Sequence, residues 1–246
     1  MLHAGNPMTL LVCDRHSASD LESWKVLERA ALIRAKERGF ERRVCQSTIE
    51  LEKFSGTPRC YAGVSWGKDS VCVADLVQRV APMVPIVWVR VEPFSNPDCV
   101  LVRDRFLAIW PSAVYDENVQ HHECQGIHEK GILSKGFIEV SKKHGNRHIS
   151  GIRGDESSAR MKRLKTYGLS TPNTCAPIAR WDGLDVFAYL ISRDLPIHPA
   201  YAFLMDGVLD PTRIRVASLG GERGTGFGRG EWERRYYSDR MGSLGL

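Results

Sequence analysis

The sequence predicts an α/β fold with a doubly wound, mostly parallel sheet and helices on both faces. Two observations predict it. Short apolar runs alternate with stretches of helical periodicity between residues 60 and 152, in the order strand, helix, strand, helix, strand. The 246 residues are 43% hydrophobic, which is enough for one sizeable core. We expect an N-terminal helix before this core and an irregular tail after it.

The N-terminal stretch predicts two helices. Ser19 or Asp20 is a suitable cap for a first helix that runs to about Arg38, and a shorter helix covers residues 47–54. Basic side chains crowd the end of the first helix, where they form either a solvated face or a contact with a nucleic acid or partner. The apolar positions of the first helix repeat at helical spacing: Leu21, Trp24, Leu27, Ala31 and Ile33.

The first predicted strand, residues 60–64, leads through a polar loop into a helix that ends near Val80. Residues 84–91 form a near-continuous apolar run, which is typical of a parallel strand buried on both faces. Glu92 closes this strand. The carboxyl ends of parallel strands face the ligand crevice, so Glu92 is either a contact for a ribose or metal or a solvated strand-end residue.

The later elements continue the alternation. We predict a helix from Asp98 to Pro111, a short strand at residues 113–115, a helix over residues 127–144 and a strand over residues 147–152. Asp182 is a suitable cap for a last helix.

The loop at residues 65–70 is the first candidate site. It places backbone N–H groups, a lysine and two serines at a helix start, where free amides and the helix dipole favour an anion. It differs from the commoner phosphate loop, because Lys68 follows Gly63 one residue too early and Asp69 replaces Ser or Thr. The alternative is a capped helix with a surface lysine. The candidate anion-binding residues are Ser65, Trp66, Gly67, Lys68, Asp69 and Ser70.

Residues 151–160 form the second candidate site. Gly151 lets a ligand approach the backbone, while Arg153 and Arg160 straddle a predicted helix start. Two guanidinium groups beside helix-terminal amides make a strong oxyanion or phosphate site. The alternative is that both arginines form salt bridges with Asp155 and Glu156.

A third stretch, residues 176–201, contains Trp181 and His198. Trp181 either packs on a ligand or belongs to the core. His198 lies between Ile197 and Pro199, and it is either a base or a structural residue.

The three stretches together resemble the PP-loop ATP pyrophosphatase superfamily, and within it the phosphoadenylylsulfate (PAPS) reductase branch. The superfamily loop reads Ser-Gly-Gly-Lys-Asp-Ser, and this chain carries Trp66 in place of the first glycine. Three later patterns appear in order over residues 151–201: Gly-Leu/Ile-Arg-x-x-x-Ser-x-x-Arg, Pro-Ile-x-x-Trp-x-x-x-Asp-Val-x-x-Tyr and Leu-Pro-x-His/Asn-Pro-x-Tyr. Since a tryptophan favours an unstrained φ, either the loop holds Trp66 in the β region or the pocket is altered.

The resemblance implies an adenine nucleotide α-hydrolase fold that binds ATP or a sulfonucleotide with Mg²⁺. It implies attack on the α-phosphate and adenylation of an acceptor in a sulfur-transfer or nucleic-acid-modification pathway, with a nucleic acid or a sulfur-carrier protein as partner. It assigns catalysis to Lys68, Asp69 and Arg153. It assigns nucleotide binding to these three and to Ser65, Trp66, Gly67, Ser70, Glu92, Gly151 and Arg160.

The corresponding domain division has three parts. They are an N-terminal helical extension (1–44), a PP-loop nucleotide-binding domain (45–205) and a Gly/Arg-rich C-terminal extension (206–246). Residues 220–237 combine glycine, arginine and aromatic side chains. They either close over a nucleotide or contact a nucleic acid, or they form a flexible surface tail.

Two other functions stay open. One is a thiol-dependent PAPS reductase, for which the last cysteine, Cys175, is the only late candidate nucleophile, although a packed thiol is expected at that position. The other is a non-catalytic adenine-nucleotide sensor or nucleic-acid-binding subunit.

The composition limits which class of protein, which metal sites and which cell compartment we expect. The seven cysteines form no C-x-x-C pair, which predicts a reducing cytosol and neither a disulfide framework nor an iron–sulfur cluster. A set of three histidines and a cysteine could hold a metal, but its spacing matches no zinc pattern, so we predict no metal ligands. The net charge of +5 suits nucleotides or nucleic acid, and the lack of a long apolar run or signal peptide predicts a cytoplasmic protein. The three histidines and the cysteine that could hold a metal are His121, His122, Cys124 and His128.

Overall fold

A computed structural model describes residues 9–57, 59–121, 129–205, 207–211, 214–216, 218–219 and 229–243. Within these ranges five parallel strands form one sheet in the order β3-β2-β1-β4-β5. This arrangement confirms the predicted fold class. The strands are β1 (Cys60–Val64), β2 (Ile86–Glu92), β3 (Tyr115–His121), β4 (Arg147–Ile149) and β5 (Thr174–Cys175).

Helices surround the sheet. Helices α1 and α2 precede β1, α3 to α5 connect the first four strands, and α6 to α9 follow β4. Short 3₁₀ turns lie at Gly154–Glu156 and Pro199–Ala202. The helices are α1 (Ala18–Arg34), α2 (Arg38–Ser55), α3 (Lys68–Val80), α4 (Asp98–Ile109), α5 (Glu129–His144), α6 (Ser158–Tyr167), α7 (Gly183–Ser192), α8 (Arg229–Tyr236) and α9 (Ser238–Ser243).

The N-terminal helices differ from their predicted bounds. Ser17, and not Ser19, caps α1: its side chain accepts from the backbone N–H of Asp20 at 3.2 Å, and its own N–H donates to the Asp20 carboxylate at 2.7 Å. This reciprocal pair satisfies two free amides, so the helix starts two residues earlier. Helix α2 is more than twice the predicted length and runs without a break across residue 44, the predicted domain boundary.

The sheet separates two apolar layers. On one face, Ala62 and Trp88 belong to a large core that includes α3 and α7. On the other face, Tyr61 and Val87 pack against Val140 of α5. Side chains alternate between the faces of a strand, which explains why the central strands are apolar throughout.

The two edge strands depart most from prediction. Strand β3 pairs with β2 over seven residues, although its polar sequence predicted only a short strand ending at Tyr115. Strand β5 has two residues, too few to leave a pattern in the sequence. Residues 122, 124 and 128 of the histidine–cysteine set lie outside the described residues, and so do residues 206, 212, 213, 217, 220–228 and 244–246 of the Gly/Arg-rich extension. Within the described ranges, no helix combines the length and apolar character needed to cross a bilayer.

Candidate anion-binding site

A cavity of about 260 Å³ lies beyond the carboxyl ends of β1 and β4. The strand order reverses between these two strands, because the chain passes from β1 outward to β2 and β3 and then returns to β4 on the other side. Ligands of open α/β sheets bind at such a reversal. The lining residues are Ser65, Gly67, Lys68, Asp69, Ser70, Gly151, Ile152, Glu156, Arg160, Tyr201, Ile214, Arg215 and Val216.

The loop before α3 shapes one wall of this cavity. The Ser65 N–H donates to the Ser70 hydroxyl at 3.2 Å, and that hydroxyl donates to the Gly67 carbonyl at 2.9 Å. These bonds fold the loop back onto the first turn of α3. The predicted contributions of Ser65, Gly67, Lys68, Asp69 and Ser70 are therefore brought together at one helix N-terminus, where the helix dipole favours an anion.

Trp66 has a different place from the one predicted. Its φ is 59°, in the left-handed region, so the first of the two alternatives, a β-region tryptophan, does not hold. The indole is fully buried, with ring centroids 5.5 Å from Phe106, 5.9 Å from Tyr115 and 6.4 Å from Trp88. The backbone thus makes the turn that a glycine would allow, while the side chain anchors the loop in the core and does not line the cavity.

Lys68, Asp69 and Arg153 form a buried line of alternating charge. The Lys68 Nζ lies 3.0 Å from Asp69 Oδ2, and the Arg153 Nε lies 2.6 Å from Asp69 Oδ1. Burial opposes the charge of Lys68, but the Asp69 carboxylate outweighs it and holds the pKa of Lys68 above its ordinary value. Burial likewise opposes the charge of Asp69, but Lys68 and Arg153 hold its pKa below the ordinary value. All three groups are therefore charged near neutral pH.

Arg153 does not occupy the predicted position opposite the loop. Its side chain is only 2% exposed, lies outside the cavity lining and also pairs with Asp155 at 2.6 Å. A guanidinium between two carboxylates has its charge compensated within the protein. The structure therefore gives Arg153 the role of holding Asp69, and through it Lys68, instead of gripping the anion directly. The predicted salt bridge to Asp155 is present.

Arg160 lines the cavity as predicted, and the structure adds Arg215 to it. The Arg160 Nη1 forms an ion pair with the Glu156 carboxylate, and the Arg215 Nη2 lies 4.0 Å from the same carboxylate. The ion pair with Glu156 matches the alternative stated for this stretch, salt bridges of the arginines to Asp155 and Glu156, whereas Arg215 was missed. Arg215 lies in a segment whose sequence shows only a general basic character, so its contribution required the fold.

Tyr201 is a further residue that the site prediction missed. Its hydroxyl accepts a hydrogen bond from the Lys68 N–H at 3.1 Å, and the Lys68 Nζ lies 5.0 Å from the centre of its ring. Burial raises the pKa of this phenol, so it stays protonated and can donate to an anion. The Leu-Pro-x-His-Pro-x-Tyr pattern contained the available signal, because it ends on this tyrosine.

Gly151 allows β4 to approach α3. A Cβ atom at this position would lie 2.9 Å from the Asp69 carbonyl carbon, which is closer than real Cβ contacts, and 3.1 Å from the Ser70 nitrogen, which is tighter than most of them. Only glycine brings the two walls of the cavity this close without a backbone shift.

Three other candidates lie away from the cavity. Glu92 pairs with Arg90 and lies 3.7 Å from Arg240, outside the cavity lining. His198 is buried, its Nδ1 accepts from the Ala200 N–H at 3.1 Å, and burial lowers its pKa to about 3, so it is neutral and structural. Cys175 is fully buried, and burial raises the pKa of its thiol to about 12, so the protonated thiol is favoured near neutral pH.

The sequence matches one protein family, and the structure is similar to two solved structures. The family model for the phosphoadenosine phosphosulfate reductase domain matches residues 59–221. The structure is similar to PAPS reductase from Candida auris in its phosphate complex, with 14% identity, a TM-score of 0.47, and coverage of 61% of this chain and 81% of that one. It is also similar to the U34-tRNA thiolase NcsA from Methanococcus maripaludis, with 15% identity, a TM-score of 0.46, and coverage of 83% and 77%. No curated protein matches the sequence significantly.

The comparison corrects one expectation. We predicted from the cysteine spacing that no iron–sulfur cluster would be involved, whereas the thiolase NcsA carries a [4Fe-4S] cluster. This finding contradicts the expectation. In the part of the chain that the structure describes, no three His, Cys, Asp or Glu side chains lie together as metal ligands.

Proposed function

This chain belongs to the phosphoadenosine phosphosulfate reductase domain family, and from that premise we propose that it binds ATP or a sulfonucleotide in the cavity between β1 and β4. The observation that carries the proposal is the convergence of the α3 N-terminus, Lys68 and Arg160 on one cavity at the reversal of strand order. Helix-terminal amides, an ammonium and a guanidinium are the donors that a phosphate or sulfate requires.

We further propose that the protein adenylates an acceptor. A nucleophilic atom of the acceptor attacks the α-phosphorus of ATP and forms the new bond. The bond from that phosphorus to the bridging oxygen of the β-phosphate breaks, pyrophosphate leaves with the electron pair, and the acceptor releases a proton. Such transfer depends on positioning and charge stabilisation, which fixed cationic groups supply.

The residues divide into two roles. Lys68, Arg160 and Tyr201 line the cavity and are assigned to the phosphates. Asp69 and Arg153 are positioning residues, because the Asp69 carboxylate bonds both Lys68 and Arg153. The competing thiol-dependent reductase has no support in the described residues, because none of their cysteines lines the cavity and Cys175 is buried in β5.

The test compares nucleotides and products. We expect ATP to bind in calorimetry and labelled ATP to yield pyrophosphate, and Lys68→Ala to reduce both by about 10- to 1,000-fold because a fixed phosphate donor is lost. Lys25→Ala, which removes an exposed lysine of α1, is the matched control. Sulfite release from PAPS that requires Cys175, or equal pyrophosphate release by both variants, would contradict the proposal.

A further inference from the structure

A second depression lies at the far end of α6 from the cavity. It has a volume of about 440 Å³ and is bordered by α2, by the end of α6 and by the chain before α7. We call it the α2–α6 groove. The lining residues are Gln46, Ile49, Glu50, Lys53, Tyr167, Gly168, Leu169, Ser170 and Arg180.

We propose that the α2–α6 groove and the exposed face of α6 bind single-stranded nucleic acid. The first observation is an aromatic side chain that the fold leaves in water. Tyr167 is 60% exposed although it ends a helix against the groove. Burying an aromatic ring is one of the larger gains available to a side chain, so an exposed ring beside a groove offers a stacking surface.

The second observation is the charge around that ring. Lys53 and Arg180 are exposed in the groove, and Lys162 and Lys165 are exposed on α6. Among the residues that the structure describes, none of these four cations forms a salt bridge, whereas most arginines near the cavity do. The one carboxylate in the groove, Glu50, accepts a hydrogen bond from the Ser170 hydroxyl. The groove therefore carries a net positive charge, because Lys53 and Arg180 outnumber Glu50, and the lysines of α6 add to it.

The third observation is the position of α6. The helix has no buried residue, places Arg160 of its first turn in the cavity wall and ends with Tyr167 in the groove. These two residues are seven positions apart and share a helix face, about 10 Å apart along the axis. That distance exceeds the span of one phosphate group, so the surface suits a chain of phosphates that runs from the groove toward the cavity.

A single-stranded nucleic acid fits these features better than an acidic protein does. Stacking on an exposed ring needs an unpaired base, and scattered cations along the path suit a regular phosphate backbone. An acidic peptide would use the cations but leave the ring unused. This inference rests on the proposed function only where it makes the nucleic acid the acceptor. Binding of the nucleic acid to the groove does not require the adenylation reaction.

Fluorescence anisotropy with labelled 12-nucleotide probes tests the inference. The probes are single-stranded RNA, single-stranded DNA of the same sequence, and the corresponding duplex. We expect single strands to bind more tightly than the duplex, and Tyr167→Ala to weaken binding about 5- to 100-fold, while Tyr167→Phe, which keeps the ring, retains the affinity.

Salt dependence supplies a second readout with a charge-matched control. The double variant Lys53→Gln/Arg180→Gln is expected to reduce the slope of log K against log salt by about 1.4, because each lost phosphate contact removes about 0.7. The control Lys25→Gln/Lys36→Gln removes two exposed charges from outside the groove and is expected to leave the slope unchanged.

Three outcomes would overturn the inference. They are no binding of any probe, equal weakening by the groove and control doubles, and a polyglutamate peptide that binds as tightly as RNA and is insensitive to Tyr167→Ala. The last outcome would indicate an acidic protein partner. Pyrophosphate release is measured separately on the wild-type protein, so a failed adenylation reaction and a failed nucleic-acid site give different results.

Discussion

The charge of Asp69 keeps two buried cations in place. If Asp69 becomes asparagine, Lys68 and Arg153 lose a shared carboxylate, and the free energy of unfolding is expected to fall by about 3 kcal/mol. The pKa of Asp69 is lowered in the folded state, so its stabilisation is present above about pH 4 and is lost as the pH falls through the lower folded value.

Urea unfolding between pH 2 and 7 measures both effects of Asp69→Asn. The variant is expected to lose the part of the acid dependence that Asp69 causes. Asp104→Asn removes an exposed carboxylate and serves as the control. Identical acid profiles for the wild type and Asp69→Asn would show that the buried line of charge does not stabilise the fold.

Trp66 combines an unfavourable backbone angle with a favourable side-chain position. Replacement by glycine would remove about 1–2 kcal/mol of left-handed strain. It would also empty the space among Phe106, Tyr115 and Trp88, which costs about 3–5 kcal/mol or more for a large aromatic residue. We therefore expect Trp66→Gly to reduce stability in urea unfolding, although the superfamily loop that this chain resembles carries glycine at this position. An unfolding free energy of Trp66→Gly equal to or higher than that of the wild type would show that strain relief outweighs the lost packing.

At the scale of elements, the contact between the end of β4 and the start of α3 sets the cavity. Gly151→Ala would place a Cβ atom 2.9 Å from the Asp69 backbone and 3.1 Å from the Ser70 backbone. Backbone atoms cannot rotate away as a flexible side chain can. We expect a loss of about 1–3 kcal/mol in unfolding free energy and weaker ATP binding in calorimetry. Gly242→Ala, at a position with no atom within 4 Å of the added Cβ, is the control. Unchanged binding with Gly151→Ala would show that the two walls move independently.

Sequence periodicity predicted those elements whose side chains are buried. The bounds of β1 match the predicted residues 60–64, and Asp182 caps α7 as expected, because an apolar run and a capping residue are local signals. Strand β3 was largely missed, since backbone pairing with β2 and not an apolar pattern defines it. Strand β5 depends on a neighbour, β4, that is distant in the sequence.

The candidate site was predictable where it lies on the two strand-to-helix turns. The loop residues and Arg160 follow from local glycine, lysine and arginine patterns. Whether an arginine faces the cavity or a buried carboxylate depends on the packing of α3 against β4, so sequence alone did not separate Arg160 from Arg153. Tyr201 and Arg215 reach the cavity from late segments, and only the fold brings them there.

At the scale of the whole molecule, residues near both ends of the chain contact the start of α4. Arg15, before α1, pairs with Asp98 of α4 at 2.6 Å, and Tyr237, between α8 and α9, donates to the same carboxylate at 2.5 Å. Three distant parts of the chain therefore share one buried carboxylate. The division into domains at residues 44 and 205 stays a prediction.

Global stability is expected to depend on pH through His198. Burial lowers its pKa to about 3, whereas an unfolded histidine titrates near 6.5. Between these values the unfolded chain binds a proton that the folded chain does not, so the unfolding free energy falls by up to about 1.4 kcal/mol for each unit of pH below 6.5. His198→Gln should remove this contribution and flatten the profile between pH 4 and 6.5 in urea unfolding. Parallel profiles for the two proteins would contradict it.

The contact of Glu156 with Arg160 and Arg215 has a consequence for which anions enter. The site contains its own tethered competitor, a carboxylate at high local concentration beside both guanidinium groups. A chloride or acetate ion brings one charge and no covalent tether, so it cannot displace Glu156 efficiently. A diphosphate or a sulfated phosphate brings several charges at once and also reaches the amides of α3. If the cavity binds anions as proposed, we therefore expect it to prefer polyanions to the simple salts of the surrounding solution.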